Sequence, residues 1–238
     1  MKLYCDLHIH TALSPCGDAD MTPNNIVNMA LLKGLDMIAI TDHNAVANAK
    51  AVMECAENTP LTVIAGMELE TSEETHFVCL FPDFERAEEF YRKISAYFPP
   101  IENRPDIFGE QLIMNAEDEI VAHEPRLLLS AAACSVYDAA PLVRQFEGVI
   151  YPAHVDRDAY SVISNLGFVP PDLGFRTVEI SRRMTFAEAD ERHPHLVQYQ
   201  KITASDAHRL WEIYEQESPV ELTERSADAL LNYLKGRI

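Results

Sequence analysis

Five short apolar runs in this 238-residue chain end in histidine or a carboxylate, and that recurrence constrains the fold more than any single motif does. In the first, Leu3, Cys5, Leu7 and Ile9 alternate with polar or polar-tipped residues, which is the period of a β-strand and is expected to set Asp6, His8 and His10 on one face. The others are residues 36–41, ending in Asp42-His43; residues 62–69, carrying Glu68; residues 149–151, ending in Pro152-Ala153-His154; and residues 201–204, ending in Ser205-Asp206-Ala207-His208. A further strand is expected at 177–181, followed by Arg182-Arg183. Helical patterns lie between them. Thr22-Pro23 reads as N-cap and N1 of a helix that stops at Gly34, an alanine-rich helix is expected over 46–56, Asp83 caps another to about Phe98, and an amphipathic helix closes the chain at 226–234.

Strands alternating with helices imply a mainly parallel sheet, open or closed into a barrel. The placement of the histidines favours the barrel, because a barrel gathers the C-terminal ends of all its strands at one mouth. His76 is the exception, since it opens the run 76–81 instead of ending it. Only a hairpin across the acidic turn at Glu73-Glu74 returns it to the same side. The length suits one barrel domain over residues 1–238. Pro99, Pro100 and Pro105 interrupt the alternation, so an insertion is expected at about 99–146, helical around 106–129 and 135–146, before the strand that leads to His154.

Lys and Arg number 19 against 38 Asp and Glu, giving a formal charge of −19. Such a surface disfavours nucleic acid held by counterion release, short oligonucleotides excepted, and fits a small phosphorylated substrate met by a local basic or metal-bearing patch. The five cysteines form no C-x-x-C pair, there is no leader-like segment, and no uncharged run could span a bilayer. A cytoplasmic protein with no membrane partner is the expectation, and the cysteines are read as buried apolar fillers.

Imidazole and carboxylate together suit Zn, Mn or Fe, and nine such side chains are too many for one ion. Two or three divalent ions about 3.5–4 Å apart, with a carboxylate such as Glu68 bridging, activate a shared water and clamp the oxygens of a phosphoryl group. Amide or lactone hydrolysis is the chemical rival.

His8-x-His10-Thr11, Thr41-Asp42-His43, Glu68, His76, His154 and Asp206-x-His208 together resemble the ordered motifs of the PHP family, the polymerase and histidinol phosphatase superfamily. The resemblance runs from Leu3 to Arg209 and implies a distorted (β/α)7 barrel, a trinuclear metal site and phosphoesterase activity. It further implies that His8, His10, Glu68 and Asp206 hold one ion, that Glu68, His76 and His154 hold a second, and that His43, His208 and a residue of the first loop hold the third. Many members place His in that loop. Those similar to the nucleoside 3′,5′-bisphosphate phosphatases and 5′-to-3′ exoribonucleases place Asp, and the match falls on Asp18, with Asp20 its close competitor.

Around this set, Asp6 and Asp42 precede ligands and either orient an imidazole or cap a loop. Arg157, Arg182, Arg183 and Arg209 follow strand ends and are candidate phosphate anchors, against the alternative of surface ion pairs. His123, His193 and His195 lack strand-end placement and are read as surface or packing residues. The reading is a metal-dependent phosphoesterase in which Glu68, Asp206 and His208 take part in catalysis. A nuclease acting on ends of short RNA or DNA and a metal-binding regulatory module without turnover are the alternatives.

Overall fold

The computed structural model describes residues 1–217 and 219–237. In chain order its elements are β1 (Lys2–Ile9), α1 (Pro23–Leu32), β2 (Met37–Ile40), α2 (Ala47–Ala56), β3 (Thr62–Glu70), β4 (His76–Leu80), α3 (Phe84–Ile94), α4 (Pro105–Phe108), β5 (Leu112–Met114), β6 (Ile120–His123), α5 (Val136–Gln145), β7 (Val149–Pro152), α6 (Val162–Leu166), β8 (Thr177–Ser181), α7 (Phe186–Arg192), β9 (Gln200–Ala204), β10 (Pro219–Glu221) and α8 (Ala227–Leu234). Local chemistry fixes the helix starts. Thr22 caps α1 with Pro23 at its first position, Asp83 caps α3, and Thr185 with Glu188 forms a capping box at α7.

β1, β2 and β3 pair in parallel, β4 lies antiparallel between β3 and β7, β8 pairs in parallel with β9, and β10 runs against the start of β1. The two gaps in the ring are closed just beyond the strands. Val155 N–H donates to the Glu179 carbonyl, and His10 N–H donates to the carbonyl of Ala207, whose own N–H returns to His8. Seven strands (β1, β2, β3, β4, β7, β8, β9) thus enclose a distorted barrel.

Alternation along the strands divides the apolar residues in two. Met37, Ala39, Ile64, Val78, Leu80, Tyr151 and Ile202 pack with one another and with Leu230, Leu231 and Leu234 of α8. Ile38, Ile40, Val63, Met67, Phe77, Ile150 and Val178 pack under the outer helices. Glu68 and His76 keep phase with the inner set, and the antiparallel pairing that places His76 opposite Glu70 is the hairpin expected from the sequence.

Two expectations are corrected. In β1, Leu3, Cys5 and Leu7 belong to the inner set but Ile9 packs outward with Met21 and Ile26. The register against β2 advances three residues, Asp6 to Ile9, while β2 advances two, Ile38 to Ile40. This bulge reverses the alternation, so Asp6 does not share a face with His8 and His10. In the insertion, the helical material expected over 106–129 is only the four-residue α4, followed by the hairpin β5–β6. The side chain of Asn115 accepts from the N–H groups of Glu117 and Glu119, and Asp118 is left-handed (φ 60°), a turn that outweighs the helical pattern around it. The insertion is tied to the rim of the barrel. Leu112 N–H donates to the Ala12 carbonyl, and the Asn44 amide donates to the carbonyls of Leu128 and Ser130.

Candidate metal centre

His8 and His10 leave β1 beyond its bulge, His43 follows β2, Glu68 lies near the end of β3, His76 begins β4, His154 follows β7, and Asp206 and His208 follow β9. His154 (φ 29°) and Asp206 (φ 51°) are left-handed, an uncommon state for such residues that costs on the order of 1–3 kcal/mol each. Both bends come where the chain must turn its side chain back over the mouth.

The Glu68 carboxylate is surrounded by imidazole. His76 Nδ1 and His154 Nε2 lie 2.8 and 3.1 Å from Oε1, His43 Nδ1 lies 2.8 Å and His10 Nε2 3.4 Å from Oε2, and His8 Nε2 lies 3.3 Å from Oε1. His10 Nε2 and His8 Nε2 are also 3.0 and 3.4 Å from Asp206 Oδ1. Yet Glu68 Oε2, His8 Nε2 and His154 Nδ1 are buried with no hydrogen-bond partner. His76 and His154 bond Glu68 and His10 bonds Asp206, yet Glu68 Oε2 and His8 Nε2 are left over within the cluster, which fits a position for a cation. Among the described residues, the ligand atoms that lie within 4.8 Å of one another form three groups: His8, His10, Glu68 and Asp206; His43, Glu68 and His76; and His10, His43 and His208.

Further residues aim the rings. Glu179, fully buried on β8, accepts from His8 Nδ1–H at 3.0 Å, and also accepts the backbone N–H of His154. This frees His8 Nε2 for the centre, as the carboxylate partner of a ligating histidine does. Ser14 gives its hydroxyl proton to Asp42 at 2.7 Å, so His10 Nδ1–H must donate to Ser14 Oγ at 2.9 Å. Asp42 therefore positions His10 through Ser14. Asp6 orients no imidazole; it accepts the backbone N–H groups of Ser205 and Tyr214 and so caps the loops beyond β9. His208 Nδ1–H is held by the Asp206 carbonyl at 2.9 Å.

The electrostatics follow from this crowding. Burial would raise the Glu68 carboxyl, but His76, His8 and His43 hold it well below the carboxylate range, and Asp206 is likewise held down against burial by His8. Burial opposes protonation of His8, yet Glu179, Glu68 and Asp206 raise it well above an ordinary histidine, and Glu68 raises His43 in the same way. His10 is lowered by burial and by His208 and His43, and His76 by burial. The carboxylates of the cluster thus favour positive charge at His8 and His43. A divalent ion supplies the same charge at the same place.

The first loop departs from expectation. Asp18 is exposed, belongs to none of the three groups, and turns its carboxylate to the N–H of Asp20, itself exposed. Cys16, exposed like Asp18 and outside the same three groups, lies beside His43 and His208. Burial works to raise its thiol, but hydrogen bonding with His208 and His43 brings it down to about 6. Reading cysteines as fillers and seeking only a carboxylate in this loop hid it. Glu179 was also missed, although a lone acid on the inner face of an apolar strand, Thr177-Val178-Glu179-Ile180-Ser181, is a visible signal.

Of the expected anchors, Arg157 places Nη1 2.6 Å from Asp206 Oδ2, and both Arg157 and Arg183 line a cavity of about 470 Å³ that opens on His76 and His154. Arg192, unforeseen, joins them. Arg182 is turned away, with its guanidinium over Tyr214 and donating to the Glu212 carbonyl, and Arg209 pairs with Glu212. Consecutive residues after a strand diverge, which separates Arg182 from Arg183. Tyr160 stacks on His76 at 4.9 Å beside the same cavity. His123 is exposed and paired with Glu110.

A seven-stranded barrel whose mouth gathers this cluster defines a protein organised around side chains that could hold metal. The chain belongs to the PHP domain family, whose model matches residues 6–143. It is 34% identical over 76 residues, 29% of this chain and 44% of the relative, to an uncharacterized protein of Methanocaldococcus jannaschii. The lesion-specific endonuclease of Pyrococcus furiosus has a similar structure, with TM-score 0.74 and 18% identity over 99% of this chain and 56% of that one. So has a Bifidobacterium adolescentis protein assigned as a metal-dependent phosphoesterase, with TM-score 0.61 and 18% identity over 98% of this chain and 96% of that one. At these identities the structural likeness is one of fold. The chain spans about half the length of the methanogen protein and of the endonuclease. Among the described residues no helix is long and apolar enough to cross a membrane.

Proposed function

We propose that the protein is a metal-dependent phosphoesterase acting on a small phosphorylated substrate, with two or three divalent ions (Zn, Mn or Fe) held by His8, His10, His43, Glu68, His76, His154, Asp206 and His208. The observation that carries this reading is the junction of the ligand cluster with a cavity bearing Arg157, Arg183 and Arg192, in a chain whose net charge is −19. Three guanidinium groups beside a metal-competent carboxylate cluster suit a phosphate better than a neutral amide or lactone. Ions bound there supply an activated water and offset charge on the phosphoryl oxygens. Arg157 and Arg183 anchor the oxygens left free, Glu68 joins the ligand groups, and Asp206 and His208 serve as ligands, so that the departing alkoxide takes its proton from solvent. The test is a phosphoester panel assayed with each metal supplied. His8→Ala and Asp206→Ala are expected to abolish hydrolysis with the circular dichroism unchanged, and full activity in either variant refutes the assignment.

A nuclease reading is favoured by one observation, the fold shared with an endonuclease over 99% of this chain, and opposed by the acidic surface. Short oligonucleotides compared with a nucleoside bisphosphate over a salt series separate the two. A steep loss of oligonucleotide turnover with salt marks a polyanion held by many phosphate contacts.

A further inference from the structure

The group His10, His43 and His208 differs from the other two in containing no carboxylate. Three neutral imidazoles leave a divalent ion uncompensated and one tetrahedral position unfilled. His10 and His43 are shared with the groups that contain carboxylates, whereas His208 belongs to this group alone. One buried oxygen without a hydrogen-bond partner, Glu68 Oε2, lies 2.8 Å from His43 Nδ1 and 3.4 Å from His10 Nε2, on the side of this group.

The first loop is built to hold residue 16 at that corner. Ser14 Oγ accepts from His10 and from the backbone N–H of His43. Gly17 N–H returns to the Ser14 carbonyl, and Asp18 N–H donates to the His208 carbonyl at 2.8 Å. A Cβ on Gly17 would stand 2.5 Å from the Thr11 carbonyl oxygen, so the tight turn excludes any other residue there. The loop is thereby fastened to His10, His43 and His208 on both sides of Cys16, which sets residue 16 at the open rim of this group. The other cysteines lie elsewhere: Cys5, Cys79 and Cys134 are buried, and Cys55 approaches the Ala116 carbonyl.

We propose that Cys16, in place of Asp18 or Asp20, supplies a thiolate to the ion position formed by His43 and His208, making this corner a nitrogen and sulfur site that selects zinc, ferrous iron or cobalt over magnesium or manganese. The inference rests on the metal-centre reading but not on the identity of the substrate. The reaction is a ligand exchange without redox change: the proton held among the sulfur and the two rings passes to solvent as the sulfur takes the metal.

The test is cobalt titration of the metal-free protein, followed by optical absorption and metal analysis, neither of which reads turnover. The wild type is expected to develop a near-ultraviolet thiolate-to-cobalt charge-transfer band. Cys16→Ala should lose the band and bind one equivalent fewer. Cys16→His should regain the equivalent without the band. Asp18→Ala and Cys55→Ser should retain both, with circular dichroism verifying the fold of every variant. A band that persists in Cys16→Ala, an equivalent lost in Asp18→Ala instead, or no cobalt taken up by the wild type each overturns the proposal. A phosphoester panel that yields no turnover leaves the band intact and counts only against the phosphoesterase reading.

Discussion

Replacing Glu179 by Gln isolates the contribution of a side chain that touches no substrate. Glu179 is fully buried and accepts three contacts: His8 Nδ1–H at 3.0 Å on one oxygen and 3.2 Å on the other, and the His154 N–H at 3.2 Å. Glutamine preserves the shape, and its oxygen set at the Oε1 position still meets both donors at 3.2 Å, but its amide nitrogen replaces the oxygen that takes the 3.0 Å bond and accepts nothing. The bonds that remain are the longer ones, and they lose their charge assistance. Removing the carboxylate that orients and polarises a ligating imidazole weakens metal binding by about 10–100-fold, or about 1.4–2.7 kcal/mol. One effect runs the other way. In the metal-free protein Glu179 strengthens the hold of a proton on His8, and the variant relaxes that competition. Measuring affinity by competition with a chromophoric chelator at alkaline pH, where the proton no longer competes, leaves the orienting effect alone. The expected result is a 10–100-fold weaker site for one ion, with thermal unfolding of the metal-free protein little changed. Affinity within twofold of wild type would falsify the positioning role of Glu179.

Other consequences can be read directly. Arg157→Ala should raise KM about tenfold with a smaller effect on kcat, because the guanidinium is assigned to binding phosphate oxygens; a fall in kcat alone contradicts that role. Arg182→Ala and Arg209→Ala should leave steady-state kinetics unchanged, since Glu212 already engages both side chains. In the metal-free protein, iodoacetamide should alkylate Cys16 with a midpoint near pH 6, where an ordinary thiol titrates near 9; the thiolate is then the dominant form at neutral pH, and added zinc should protect it. Supplying a metal at a hundredfold over its dissociation constant should stabilise the fold by about 2.7 kcal/mol, seen as a melting temperature about 5–10 °C higher, and chelation should reverse it.

The architecture was legible where side chains repeat with the backbone. Apolar runs of strand period ending in His43, Glu68, His154 and Asp206 gave the parallel core of the barrel, and the acidic turn before His76 gave the reversed strand. The same logic failed where one residue alters the phase. Nothing in Asp6-Leu7-His8-Ile9 announces a bulge, since its cause is pairing with β2 and not a local preference. Hairpin β5–β6 was hidden because the Asn115 turn acts over four residues inside a stretch of helical composition. The strand-end ligands could be listed in order, but the loop residue could not, because a loop has no period to count along. Asp18 and Cys16 are two positions apart, and only the anchoring of Asp18 N–H to His208 decides which side chain lies beside the cluster. Glu179 lies in the middle of an expected strand, where the other acids and histidines of the cluster come at strand ends, so the strand-end pattern passes over it.

The bulge in β1 acts as a half-turn coupling between two otherwise incompatible surfaces. Before it, Leu3, Cys5 and Leu7 face inward and build hydrophobic floor; beyond it, His8 and His10 face inward and build a polar mouth. Without the extra residue, one strand of strict period two could not present three apolar side chains and then two imidazoles of opposite parity to the same lumen. Substitutions along β1 adjust either surface separately, whereas deletion of a single residue there would rotate the histidines out of the barrel together. The site is thus tolerant of change in side-chain identity along this strand but intolerant of change in its count, a digital constraint written into a strand of eight residues.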